Sequence, residues 1–244
     1  MPIIRGGHTN YGQPIGILML DTNFPRPPGD VGNATTWPFP VRYKIVKDAR
    51  PARVMGTEPD PTVLDPFIAA AQELESDGVR AITTSCGFLA VYQAELAASV
   101  AVPVLTSALL QVPLAARLLR PGQKVGILTE REELTERHFN AVGFTASETS
   151  IVVKGFPPDA VFPTVFFGDK READTTVLEA ELVELARALV RDHPDVGAIV
   201  SECTNFVPYS QAMRRAVGLP LFDLYTLVNA AFEATVGHDF DGYL

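Results

Sequence analysis

Apolar runs and helically spaced apolar stripes alternate along the whole chain. Ile15 to Leu20 is apolar throughout, which predicts a strand buried on both faces. Val41-Arg42-Tyr43-Lys44-Ile45-Val46 alternates and predicts a second strand. Asp60-Pro61 opens a helix over about 63–76, in which Leu64, Phe67, Ile68, Ala71 and Leu74 share one face. A strand over 79–85 runs into Cys86 and a helix follows it. A short strand at 102–105 and a helix over 108–119 complete this half, and Pro121-Gly122 breaks the chain. The second half restarts with a strand at 125–129, a helix over about 132–141 and a strand at 151–153. A long helix over about 173–192 leads to an apolar strand, Val196 to Val200, that runs into Cys203; a helix follows. A strand at 219–223 and a helix over 224–236 end the pattern. Strands alternating with helices predict an α/β fold with parallel sheets covered by helices on both faces.

Two stretches break the alternation. Residues 22–40 and 155–168 are rich in proline, and the second is rich in phenylalanine. Proline excludes regular structure there, and irregular segments of this length act as lids or binding loops, or here as a subunit interface.

The two halves repeat each other. Laid without a gap, Ala81-Ile82 falls on Ala198-Ile199, Cys86 on Cys203, Tyr92 on Tyr209 and Pro103 on Pro220. Gln13-Pro14-Ile15-Gly16-Ile17-Leu18 likewise resembles Gln123-Lys124-Val125-Gly126-Ile127-Leu128, at a slightly different offset. The period is too long for a solenoid. It predicts two similar, pseudo-symmetric lobes, 1–120 carrying Cys86 and 121–244 carrying Cys203, with the active site in the cleft between them. Ligands of such sheets bind at the carboxyl ends of the strands, where both cysteines sit.

Composition narrows the function classes. The chain of 244 residues has a formal net charge of −9, which argues against a nucleic-acid partner. No apolar run is long enough to span a membrane, and the start shows no signal-peptide core, so the cytoplasm is the expected location. Two cysteines in a reducing compartment are expected to be free thiols. His8, His138, His193 and His238 show no ligand spacing with either cysteine, so no metal is expected.

A lone cysteine after a strand is commonly a small buried hydrophobe. Two at the same address of a repeat suit paired acid–base chemistry, in which one thiol removes a proton from a carbon and the other returns one to the opposite face. Backbone N–H groups at the helix starts after them are expected to attract an anion and favour the thiolates.

Thr84-Ser85-Cys86-Gly87-Phe88-Leu89 and Glu202-Cys203-Thr204-Asn205-Phe206-Val207-Pro208 resemble the two cysteine motifs of the aspartate/glutamate racemase superfamily. Ile15 to Asp21 resembles its opening strand and acidic turn, and Val125-Gly126-Ile127-Leu128-Thr129 the strand and threonine that open its second half. The resemblance implies a cofactor-independent isomerase. Cys86 and Cys203 would be the two bases inverting the α-carbon of a small amino acid like aspartate or glutamate. It also implies a homodimer or higher homo-oligomer and a small carboxylate or hydantoin substrate, touched by Asp21, Ser85, Gly87, Phe88, Thr129, Thr204 and Asn205. Asp21, Thr129, Ser85 and Thr204 also have plain capping roles open to them.

The chain departs from glutamate racemases at Gly87-Phe88, where they carry Asn-Thr, and at Asn205, where they carry histidine. These departures weaken the case for glutamate and keep hydantoin racemase, maleate isomerase and arylmalonate decarboxylase in view. A small-molecule sensor built from two α/β lobes is a further alternative. Arg26 is the candidate cation for a second substrate carboxylate, and Glu202 is read as structural, because a carboxylate beside Cys203 would raise its pKa.

Overall fold

The computed structural model describes every residue except 1, 2, 5, 58, 59, 239, 241, 243 and 244. It forms two four-stranded parallel sheets. The first contains β1 (Ile15–Leu20), β2 (Val41–Val46), β3 (Ala81–Thr84) and β4 (Val104–Leu105), in the order β2-β1-β3-β4. The second contains β5 (Lys124–Leu128), β6 (Ile151–Lys154), β7 (Val196–Ser201) and β8 (Leu221–Phe222), in the order β6-β5-β7-β8. The same strand order appears twice. Leu18 of β1 faces Thr84 of β3, and Leu128 of β5 faces Ser201 of β7, so the pairing register repeats as well.

Alternation along the central strands explains the layers. Leu18 and Leu20 of β1 pack with Phe67, Ala71 and Leu74 of the helix Leu64–Ser76, while Ile15, Ile17 and Met19 join a separate core on the opposite face. Both central strands carry a glycine under the covering helix. A Cβ on Gly16 would lie 2.9 Å from Leu74 Cδ1, and one on Gly126 2.5 Å from Leu189 Cδ2, so each leucine seats against bare backbone.

The helices after β4 and β8 change partners. The helix Val112–Arg117 follows the first sheet but packs with Val125, Ile127 and Val200 of the second. The helix Leu224–Thr235 follows the second sheet, and its Leu224 and Val228 pack with Ile15, Ile17 and Ala81 of the first. Each sheet is thus closed by a helix lent from the other half. Among the described residues no helix is long and apolar enough to cross a membrane.

Several expected boundaries move. The helix expected from about 132 runs only over Glu136–Ala141, because Thr135 caps it in a reciprocal box with His138. The stretch 155–168, expected to be irregular, holds the helix Val161–Phe166. Its Pro163 lies in the first turn, where no intrahelical hydrogen bond is lost. Segment 22–40 is irregular apart from a 3-10 turn at Ala34–Thr36, yet it contributes core: Trp37 stacks on Tyr225 and Phe39 on Phe232, at 5.7 and 4.0 Å.

Candidate active site

Strands β3 and β7 end beside their central neighbours in the same way. Ser85 N donates to Leu18 O at 2.9 Å, and Glu202 N donates to Leu128 O at 2.8 Å. The next residues, Cys86 and Cys203, remain extended and each opens a 3-10 turn, Gly87–Tyr92 and Thr204–Tyr209. The expected helices, Gln93–Ser99 and Ser210–Val217, begin only after these turns. Both thiols are free, buried, and line one cavity of ≈ 20 Å³, room for about one water.

The other expected site residues divide. Ser85, Gly87, Phe88, Thr204 and Asn205 line the cavity with the thiols, and so does Arg26. Ser85 Oγ accepts from Leu20 N at 2.8 Å, and Thr204 Oγ1 donates to Ser85 O at 2.8 Å. Asn205 Nδ2 donates to Asp30 Oδ2 at 2.9 Å, and Asp30 is ion-paired with Arg26 at 2.7 Å. Asp21 stands away from the cavity: its carboxylate accepts from Asp48 N and lies 3.5 Å from Arg50. Thr129 is also outside the lining. Its hydroxyl donates to Glu202 Oε2 at 2.7 Å, so it anchors a carboxyl group of the site.

Glu202, read from sequence as structural, lines the cavity, and Glu130, which sequence reading missed, lines it too. They are 1% and 2% exposed. A Cβ on Gly87 would lie 2.1 Å from Glu202 Oε1, so glycine is required where the second lobe's carboxyl group meets the first lobe's turn. The thiol of Cys203 donates to Glu130 Oε2 at 3.6 Å, with Asn205 Oδ1 at 3.9 Å. Position alone offered a signal for Glu130: it follows the apolar strand β5 at its carboxyl end. Asp30, inside the proline-rich segment, offered none.

Electrostatics reverse one expectation. Burial pushes Cys86 above the ordinary thiol range, reinforced by Glu202, and the N–H groups of Phe88 and Leu89 offset only part of this. Burial, Glu130 and Glu202 push Cys203 well up as well. The resting site therefore holds neutral thiols, not the thiolates expected from the turn geometry. Burial, then the charge of Glu202, lifts Glu130 to about 8, and burial lifts Glu202 to about 7 despite the Thr129 hydroxyl. Among the described residues, no three His, Cys, Asp or Glu side chains are grouped to hold a metal.

The two irregular segments meet over the thiols. Phe24 packs edge-on to Phe166 at 4.9 Å, and both rings line the cavity. Asn23 Nδ2 donates to Asp169 Oδ2 at 2.9 Å, and Arg50 Nη1 lies 3.4 Å from the same oxygen. A larger hollow of ≈ 320 Å³ lies by residues 12–14, just ahead of β1, with His8, Asp77 and Arg80. It is at the opposite strand ends and contains neither thiol.

The family model Asp/Glu/Hydantoin racemase matches residues 49–231. Dimethylsulfoniopropionate lyase 3 of Emiliania huxleyi is 30% identical over 224 residues, 88% of this chain and 58% of the relative, so the chain spans under two thirds of that protein. Among solved structures, arylmalonate decarboxylase superposes with a TM-score of 0.58 at 16% identity, covering 92% of this chain and 94% of the other. The aspartate racemase of Picrophilus torridus superposes with a TM-score of 0.51 at 14% identity, covering 92% and 95%. At these identities the structural likenesses establish the shared two-lobed fold.

Proposed function

The chain belongs to the Asp/Glu/hydantoin racemase family, and from that premise we propose that it is a lyase. It removes the α-proton of a small zwitterionic carboxylate and expels a cationic β-substituent, with dimethylsulfoniopropionate as the representative substrate. The observation that carries this reading is the acidic and aromatic lining of the cavity. Two buried carboxyl groups, Glu130 and Glu202, face it, and Arg26, the one guanidinium lining it among the described residues, is already paired with Asp30. A dicarboxylic amino acid would bring a second carboxylate into a cavity whose lining guanidinium is already engaged. A sulfonium group is drawn to carboxylates and to aromatic faces, and Phe24, Phe88 and Phe166 line the walls. The 30% identical lyase supports the same substrate class.

The substrate carboxylate lies beside the turn after Cys86, where the Phe88 N–H favours negative charge. Cys203 acts as base from the other wall. The C–H electron pair becomes the new C=C bond, and the C–S bond breaks with its pair on sulfur. Dimethyl sulfide and acrylate leave, and the proton stays on Cys203. The leaving group is neutral, so one base suffices.

Racemisation is the second reading. What favours it is the placement of Cys86 and Cys203 at equivalent positions of the repeat, one base for each face of a carbon. The test incubates the protein with dimethylsulfoniopropionate, and separately with aspartate, glutamate and hydantoins in heavy water. Headspace dimethyl sulfide with equimolar acrylate is expected. Inversion of an amino acid or hydantoin without dimethyl sulfide release would return the assignment to a racemase.

A further inference from the structure

We infer that Glu130 takes the thiol proton of Cys203, so that this cysteine becomes a thiolate inside the closed cavity without first exchanging with bulk water. The two cysteines are not equally equipped. Cys203 donates to Glu130 Oε2 at 3.6 Å, whereas among the described residues no carboxylate accepts from Cys86. Glu202 is engaged elsewhere, with one oxygen held by Thr129 and the other against Gly87. Glu130 Oε1 is fully buried and has no hydrogen-bond partner among the described residues. Such an oxygen costs stability and calls for a reason, and a change of protonation at this carboxyl group supplies one.

The ionisable groups facing Glu130 are Glu202, the thiols of Cys203 and Cys86, and Arg131. Arg26 lines the same cavity but is committed to Asp30, and Arg131 is turned towards Glu133. Burial brings Glu130 to about 8, where a carboxyl group both accepts and releases protons near neutral pH.

In the transfer, the S–H bond of Cys203 breaks with its electron pair on sulfur, and an O–H bond forms at Glu130 Oε2. The thiolate then removes the substrate's α-proton, as in the proposed elimination. When the cavity opens, Glu130 gives to water the proton it took from Cys203, while the substrate's proton remains on the thiol, so one proton leaves per turnover and the site is reset. Only these later steps rest on the lyase reading; the thiol-to-carboxylate transfer needs no substrate.

The test therefore reads the thiol directly. In Cys86→Ser protein, alkylation of Cys203 by iodoacetamide is followed across pH. A shared proton makes the rate rise to about pH 8 and then level off, because above that point the thiolate paired with protonated Glu130 is a fixed fraction. In Cys86→Ser/Glu130→Gln protein the plateau is expected to vanish, with the rate rising about tenfold per pH unit throughout. With Cys86 intact, Glu130→Gln is expected to lower kcat about 100-fold with little change in KM. The absence of a plateau in the Cys86→Ser protein overturns the assignment even if the glutamine variant fails to fold. Alkylation needs no turnover, so failure to release dimethyl sulfide would count against the lyase reading alone.

Discussion

Thr204 Oγ1 donates to the backbone carbonyl of Ser85, tying the two cysteine turns to each other across the lobes. The donor follows Cys203 and the acceptor precedes Cys86, so this bond joins the backbone beside one thiol to that beside the other. Thr204→Val keeps the shape and leaves a buried carbonyl without its donor, a loss of about 1–3 kcal/mol. Urea unfolding should show that loss, with turnover reduced as well, and Thr204→Ser should restore both. Equal stability of the valine and wild-type proteins would mean that the bond does not hold the lobes.

Much of this site was legible before any coordinates. The cysteine address followed from strands β3 and β7, where Ala81-Ile82 and Ala198-Ile199 align without a gap and the strands end at the same register. What remained hidden depends on contacts between the halves. The apolar stripes at 108–119 and 224–236 look the same whichever sheet they cover, so the exchange of closing helices leaves no trace in periodicity. The thiols were expected to be acidic because turn N–H groups act locally, whereas burial and the approach of Glu130 and Glu202 arise only when the lobes close. Asp21 and Thr129 had the right sequence positions, yet their side chains turn to Arg50 and Glu202.

The cavity holds about one water, so substrate entry requires the segments above it to part. The contacts at Asp169 with Asn23 and Arg50 form that seam. Asp169 has a positive φ of 50°, so Asp169→Gly removes the side chain while suiting the backbone. Exposed contacts of this kind together contribute about 1–2 kcal/mol, roughly a 5- to 30-fold shift towards the open form. Hydrogen exchange at 22–24 and 166–169 should rise by that factor, and KM several-fold. Unchanged exchange would place the entrance elsewhere.

Carboxyl groups buried in this way make stability depend on pH. Glu130 and Glu202 move from 4.5 to about 8 and about 7, so the folded chain holds more protons than the unfolded one between those values. Their contribution is complete below about pH 4.5 and is lost as pH rises through 7 and 8. His138 acts in the opposite sense. Burial lowers it from 6.5 to about 4, so its cost appears as pH falls below 6.5. Glu130→Gln should therefore unfold like wild type near pH 4.5 but be more stable above pH 8, by up to about 5 kcal/mol, or roughly 10–20 °C in Tm. A difference that does not vary with pH would show that Glu130 is not the group titrating.

The two cysteines separate elimination from racemisation. Elimination needs a base on one face of the α-carbon and expels a neutral sulfide, so a second base has nothing to do. Racemisation needs a base on each face, because the carbon must be reprotonated from the side opposite the one that lost its proton. Serine is close in size to cysteine but far less acidic, so it cannot replace a thiol as base at neutral pH. Cys203 donates to Glu130, whereas no carboxylate among the described residues accepts from Cys86, which lies beside the Phe88 N–H. Cys203→Ser should therefore lower dimethyl sulfide release by about 10²–10⁴-fold. Cys86→Ser should keep release within about tenfold of wild type, its loss falling mainly on KM because the thiol borders the carboxylate pocket. The measurement is headspace dimethyl sulfide against substrate concentration for the three proteins. Equal, near-complete loss in both variants, with α-deuterium entering one enantiomer of an amino acid in each, is the pattern of a two-base racemase and would displace the lyase reading.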